Sequence, residues 1–184
     1  MQENKSSAAT GNDKSREQRF VETVIERCQN DKGLAARLRR ADNPSMEYQC
    51  WELLGWFGVD LEKDYERLPF VTVAAAIAKS KPERNGSLRL GQAIARCYND
   101  GNQDSQAKAK LRRLLACNDL SEASRILRPV LALINSRVGQ PLDYVRLLRQ
   151  LRFFGYESGQ RTKTQWAQEF YGQPTLAEGE EGAA

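Results

Sequence analysis

Arg146, Arg149 and Arg152 follow one another at intervals of three residues. On a helix that spacing makes one gently spiralling stripe of guanidinium groups. Arg112 and Arg113, with Lys108 four residues before Arg112, form a second cluster, and Arg39 with Arg40 a third. The planar fork of arginine bonds two phosphate oxygens at once. Contacts of this kind hold a nucleic-acid backbone and read no bases. Between Ser105 and Lys163 twelve basic residues face four acidic ones, whereas the whole chain carries a net charge of +4. The rest is therefore net acidic. Folding does not require such a concentration of charge, and the segment reads as a surface for a polyanion.

Other chemistry is largely excluded. The chain holds no histidine, which removes Ser-His-Asp and Cys-His nucleophile systems and any His-ligated metal. Cys28, Cys50, Cys97 and Cys117 contain no Cys-x-x-Cys pair and read as reduced, inert thiols. Asp60, Asp64 and Glu66 have no second carboxylate set opposite them that would complete a metal site. Gly86-Ser87-Leu88-Arg89-Leu90-Gly91 lacks the Gly-Lys-[Ser/Thr] ending of a phosphate-binding loop. The expectation is a non-enzymatic chain without cofactor or metal.

The elements that must position the arginines are helical throughout. Phe20, Val21, Val24, Ile25 and Cys28 make the first apolar face, and Leu34, Leu38 and Ala41 the second. Pro44 suits a first helical turn. Residues 42 to 66 carry seven acids against Lys63 alone, interleaved with Tyr48, Trp51, Leu54, Trp56 and Phe57; the spacing predicts an amphipathic helix with these aromatics in the core. A base-stacking platform is disfavoured there by the negative charge. Pro69 is expected to start an Ala-rich helix over Val71 to Lys79, and Ser87 to cap the next. Leu111, Leu114 and Leu115 mark another helix. Leu127, Val130, Leu131 and Ile134 mark a further one, which Pro129 should kink or begin. Tyr144, Val145, Leu148, Leu151 and Phe154 follow, and Trp166 with Phe170 anchor the last. No window alternates like a strand. The expected fold class is all-α, a compact multi-helix bundle, with two small sub-bundles as a variant. Its domain spans residues 15–171, an N-terminal part to about 85 and a basic part from about 86. Disordered tails are expected over 1–14 and, acidic, over 172–184. The apolar run Phe70 to Ala78 is too short to span a bilayer, and the polar N-terminus has no signal core, so a cytoplasmic protein without membrane partners is expected.

Several stretches together resemble the CasB family, the small subunit of the type I-E CRISPR surveillance complex Cascade. Asp31-Lys32-Gly33 followed by Ala35-Ala36-Arg37-Leu38-Arg39-Arg40-Ala41 resembles that family's glycine-then-"LRR" segment, and Ser87 to Ala95 its "SLG-x-x-LA" helix. Lys110-Leu111-Arg112-Arg113-Leu114-Leu115, then Leu120 and Leu127-Arg128-Pro129-Val130-Leu131, resembles its paired helices. Asp143-Tyr144-Val145 with Leu147, Leu148 and Leu151, ending at Trp166 and Phe170-Tyr171, is similar to its C-terminal pattern. The resemblance covers roughly Glu17 to Tyr171. It implies a non-catalytic subunit, two copies per complex, lying beside the guide RNA–target DNA heteroduplex and helping to hold the displaced strand. It implies phosphate contacts for Arg39, Arg40, Arg112, Arg113 and Arg128; those of Arg146, Arg149 and Arg152 rest on periodicity alone. The implied partners are guide RNA, target DNA, other Cascade subunits and a second copy of the chain. The acidic segment could then meet a basic neighbour. The alternative function is a helical adaptor whose basic face docks an acidic protein.

Overall fold

Short polar side chains start most of the helices. Ser15, Asp31, Asp104, Asp119 and Asp143 each accept a hydrogen bond from a backbone N–H of the turn that follows, at 2.7–3.2 Å, worth about 1 kcal/mol apiece. The helices they help to begin belong to a computed structural model that describes residues 14–154 and 158–172. Among the described residues there are nine α-helices: α1 (Arg16–Asn30), α2 (Lys32–Arg40), α3 (Trp51–Trp56), α4 (Asp64–Ser80), α5 (Leu90–Arg96), α6 (Ser105–Ala116), α7 (Leu120–Arg137), α8 (Tyr144–Arg152) and α9 (Ser158–Tyr171). A 3-10 turn over Pro44–Cys50 leads directly into α3. There is no sheet among these residues, only an isolated bridge between Leu88 and Leu142. The fold is all-α and compact. The tails expected to be disordered lie, apart from Lys14 and Gly172, outside the described residues.

The centre of the molecule is α4. Every residue from Leu68 to Ala78 is buried, and α1, α2, α7 and α8 pack around it. A helix that is apolar on all sides is stable only when enclosed in this way. The C-terminal half adds a second tight crossing, α5 on α9. Gly91 is required there, because a Cβ at that position would lie 2.3 Å from the Trp166 carbonyl oxygen. Trp166 is fully buried, stacks on Phe154 at 5.5 Å and donates from Nε1 to Gln150 Oε1 at 2.9 Å. One connected set of buried residues runs from Phe20 to Phe170.

Four expectations change. Pro69 does not start its helix: α4 begins at Asp64, with Pro69 buried inside it. Proline removes one backbone bond there, and the enclosed apolar run that follows offsets the loss. Of the two alternatives for Pro129, beginning the helix falls, because it sits in the interior of α7, which begins nine residues earlier at Leu120. Ser87 caps nothing, since α5 starts after Arg89 without a side-chain cap. Residues 86–88 instead bond to the segment before α8, through Gly86 N to Leu142 O and Asp143 N to Leu88 O, both 2.9 Å. The largest correction concerns the aromatics of the acidic segment. Leu54 is buried and Phe57 half-buried, but Tyr48, Trp51 and Trp56 face solvent. The core side of this segment is made instead by Cys50, Leu53 and Leu54.

Candidate nucleic-acid interface

The α8 stripe is anchored from inside the protein. Arg146 Nε donates to Glu169 Oε1 at 2.8 Å, and Glu169 also accepts from the Gly91 backbone N–H at 3.3 Å. Arg149 Nη2 donates to Ser15 Oγ at 2.8 Å, with its Nε 3.8 Å from Glu17 Oε2. Arg152 donates to Glu17 Oε1 and lies 5.7 Å over the Phe70 ring. Burial pushes the Glu17 carboxyl up. Its own backbone N–H, the charge and hydrogen bond of Arg152, and Ser15 outweigh that and hold it below the ordinary value. Of the three guanidinium groups Arg149 is the most open, with 52% of its side chain exposed against 24% for Arg152.

Between α8 and α9 lies a basic, amide-lined groove. One depression of 470 Å³ holds Arg146, Arg149, Arg161, Gln150 and Gln165. A smaller one of 170 Å³ holds Arg89, Gln92 and Gln168. The two adjoin, with Arg146 and Gln165 lining both. Gln150 is buried and fixes the floor, donating to Gln165 Oε1 at 3.1 Å while Trp166 donates to it. The acids on this groove are Asp143 and Glu169. Asp143 Oδ1 already accepts from Arg146 N and Asn85 Nδ2, and Glu169 from Arg146 and Gly91. The guanidinium groups carry the residual sign.

A second trough runs past the C-terminal end of α4. Its main depression, 520 Å³, includes Lys79, Lys81, Arg84 and Arg128 together with Asp42 and Glu83. Lys81 and Pro82 are shared with a 410 Å³ depression that contains Lys32 and Arg39. Arg128 Nε lies 3.7 Å from Asp42 Oδ1, buried and without a hydrogen bond, and Lys79 Nζ also donates to Asp42. Arg39 Nη1 reaches the Ala78 carbonyl at 3.4 Å. Lys81 terminates α4 in the left-handed conformation, φ 51°. An L side chain costs about 1–2 kcal/mol there, at a position where glycine is the usual choice. Lys81 lines both depressions.

Arg40, Arg112 and Arg113 line none of these depressions. They lie on the exposed surfaces of α2 and α6, and among the described residues their guanidinium groups make no ion pair or hydrogen bond. The structure thus brings Arg39 and Arg128 to adjoining depressions, places Arg146 and Arg149 in one groove, and leaves Arg40, Arg112 and Arg113 open; Arg152 braces Glu17. Lys32, Lys81, Arg84, Arg89 and Arg161 were not singled out from sequence. Lys81 and Arg84 lie in the turn-rich 80–86 stretch, where helical periodicity carries no information. The only signal was charge amid Pro, Asn and Gly. Much of the acidic segment is also consumed internally: Asp42 by Lys79 and Arg128, Glu47 by Arg67, Glu66 by Arg16. Among the described residues no group of three or more His, Cys, Asp or Glu could hold a metal ion, and no helix is long and apolar enough to cross a membrane.

Comparison with known proteins adds the family. The structure is similar to a crystal structure of CasB from M. ruber, with 26% identity over 85% of this chain and 93% of that one and a TM-score of 0.68. CasB from Thermus thermophilus shares the fold at 22% identity and a TM-score of 0.67, over 87% of this chain and 100% of that one. A chain of a CRISPR RNA-guided surveillance complex shares it at 23% identity and 0.62, over 85% and 91%. No curated protein matches the sequence. The family model for CRISPR-associated protein Cse2 matches residues 34–171, three quarters of the chain and every helix from α3 to α9. The chain is a member of the CRISPR-associated protein Cse2 family.

Proposed function

We propose that the chain is a non-catalytic subunit of a type I-E CRISPR surveillance complex that binds nucleic-acid backbone and thereby stabilises the guide RNA–target DNA R-loop and its displaced strand. The observation that carries this reading is the disposition of charge: two troughs with guanidinium groups on their walls, and open arginines on α6 and α2, none of it built to read a base edge. R-loop formation exchanges one duplex for another of nearly equal stability, so sequence-blind cationic contacts to unpaired strands tip it. Family membership and likeness to a chain of a surveillance complex support the assignment to such an assembly. Phosphate contacts fall to Arg112, Arg113 and Arg40 on open surface, to Arg39 and Arg128 in the α4 trough, and to Arg146 and Arg149 in the α8–α9 groove. Arg152 contributes mainly by holding α8 against α1. Other subunits of the complex and a second copy of this chain are its protein partners.

The test is target-duplex affinity of the guide-loaded complex, assembled with and without this chain, at two salt concentrations. Omission should weaken R-loop binding while guide RNA stays bound, with the difference shrinking as salt rises. Unchanged affinity would favour the adaptor function.

A further inference from the structure

Tyr48, Trp51, Glu52, Gly55 and Trp56 recur at the i, i+3, i+4, i+7, i+8 spacing that marks one face of a helix, and all five are exposed. Tyr48 is 55%, Trp51 43% and Trp56 70% exposed, while Cys50, Leu53 and Leu54 seal the opposite side. The segment buries Cys50 and two leucines and leaves both indoles and Tyr48 in solvent. Large exposed aromatics grouped on one surface mark a contact site, and tryptophan and tyrosine are the side chains that anchor protein interfaces. Gly55 has no packing reason to be glycine, because a Cβ there would meet nothing within 4 Å. It leaves a notch beside Trp56. Trp56 is braced edge-on by Phe57 at 4.8 Å, and Phe57 in turn by buried Phe20 at 5.0 Å.

The charge around this face selects the occupant. Residues 48 to 65 hold Glu52, Asp60, Glu62 and Asp64 against Lys63 alone, and Lys63 Nζ lies 2.7 Å from Asp60. The Glu52 side chain is 75% exposed although it touches Arg37, and that of Asp64 70% although Arg67 donates to it at 2.5 Å. A phosphate strand stacking on the indoles would run along carboxylates. An arginine or lysine would find both an aromatic face and a counter-ion. We propose that this face of α3 and its leading 3-10 turn is a docking surface for a separate protein that presents basic side chains among apolar ones. The inference rests on the subunit reading and names the surface through which the chain joins its complex.

The experiment uses the full chain and, as probe, the guide-loaded complex of the remaining subunits assembled without it. Trp51→Ala/Trp56→Ala and, separately, Gly55→Lys are compared with the unaltered chain. Folding is followed by circular dichroism and by the fluorescence of buried Trp166. Both variants should join the complex at least about tenfold more weakly, with binding of a thymidine oligonucleotide by the free chain unchanged. Joining that is unaffected in both folded variants overturns the proposal. Loss of oligonucleotide binding in the tryptophan variant would make the face a stacking platform, and a changed sedimentation coefficient of the free chain would make the occupant a second copy; either overturns it. If the unaltered chain fails to join, the subunit reading itself falls.

Discussion

Arg112 and Arg113 on α6 and Arg149 and Arg152 on α8 bring the same charge on the same kind of helix, but they keep different company. Among the described residues no acidic side chain pairs with the α6 arginines. The α8 pair meets Glu17, a carboxylate 135 positions from Arg152 that is buried where α1 packs on α8. One pair is free to spend its full electrostatic potential on a ligand, and the other holds two helices together before any ligand arrives. A basic stripe is therefore not one functional unit. Its value at each residue depends on which carboxylates the fold brings up.

The comparison breaks most visibly at Arg152. Arg152→Met leaves the buried Glu17 with the longer contact to Arg149 as its remaining ion pair, beside Ser15 and its own backbone N–H, and chemical denaturation should show a loss of about 3 kcal/mol. Adding Glu17→Gln should restore part of it, since the uncompensated charge goes with the carboxylate. Arg112→Ala/Arg113→Ala should do the reverse. Stability stays within about 0.5 kcal/mol, while the slope of log affinity for single strands against log salt falls in magnitude by about 1.4, at about 0.7 per phosphate. Unequal roles also sharpen at the α4 terminus. Lys81→Gly relieves the left-handed strain and should stabilise the fold by roughly 0.5–1 kcal/mol after the entropy of glycine is counted, while weakening nucleic-acid binding. The smallest effect is on pH. Because the folded-state pKa of Glu17 is depressed, its contribution is present above the ordinary value of 4.5 and lost as pH falls through the lower folded value. Thermal melts should therefore show a gentler acid decline in Glu17→Gln than in the unaltered chain.

The helices whose starts carry Ser or Asp and whose apolar residues keep a 3.6 period were legible from sequence, α1, α6 and α9 among them. Pro69 misled because a local rule about a missing N–H was overridden by enclosure of α4. Tyr48, Trp51 and Trp56 misled for a different reason. Side-chain size does not set which face of a helix is buried: Cys50, Leu53 and Leu54 take the core side here and leave Tyr48, Trp51 and Trp56 on the other. At the site, residue type and spacing identified clusters of arginine. They were silent on Glu17, Asp42 and Glu169, whose proximity is a product of tertiary packing, and on Lys81 and Arg84, which sit in a loop.

The most direct measurement is the lifetime of the R-loop held by the guide-loaded complex rebuilt with Arg112→Glu/Arg113→Glu, against the complex with the unaltered chain, at low and at physiological salt. A shortened lifetime at low salt, with the variant folded and fully incorporated, is the expected result. An equal lifetime under those conditions would contradict the claim that the exposed arginines of α6 hold the nucleic acid.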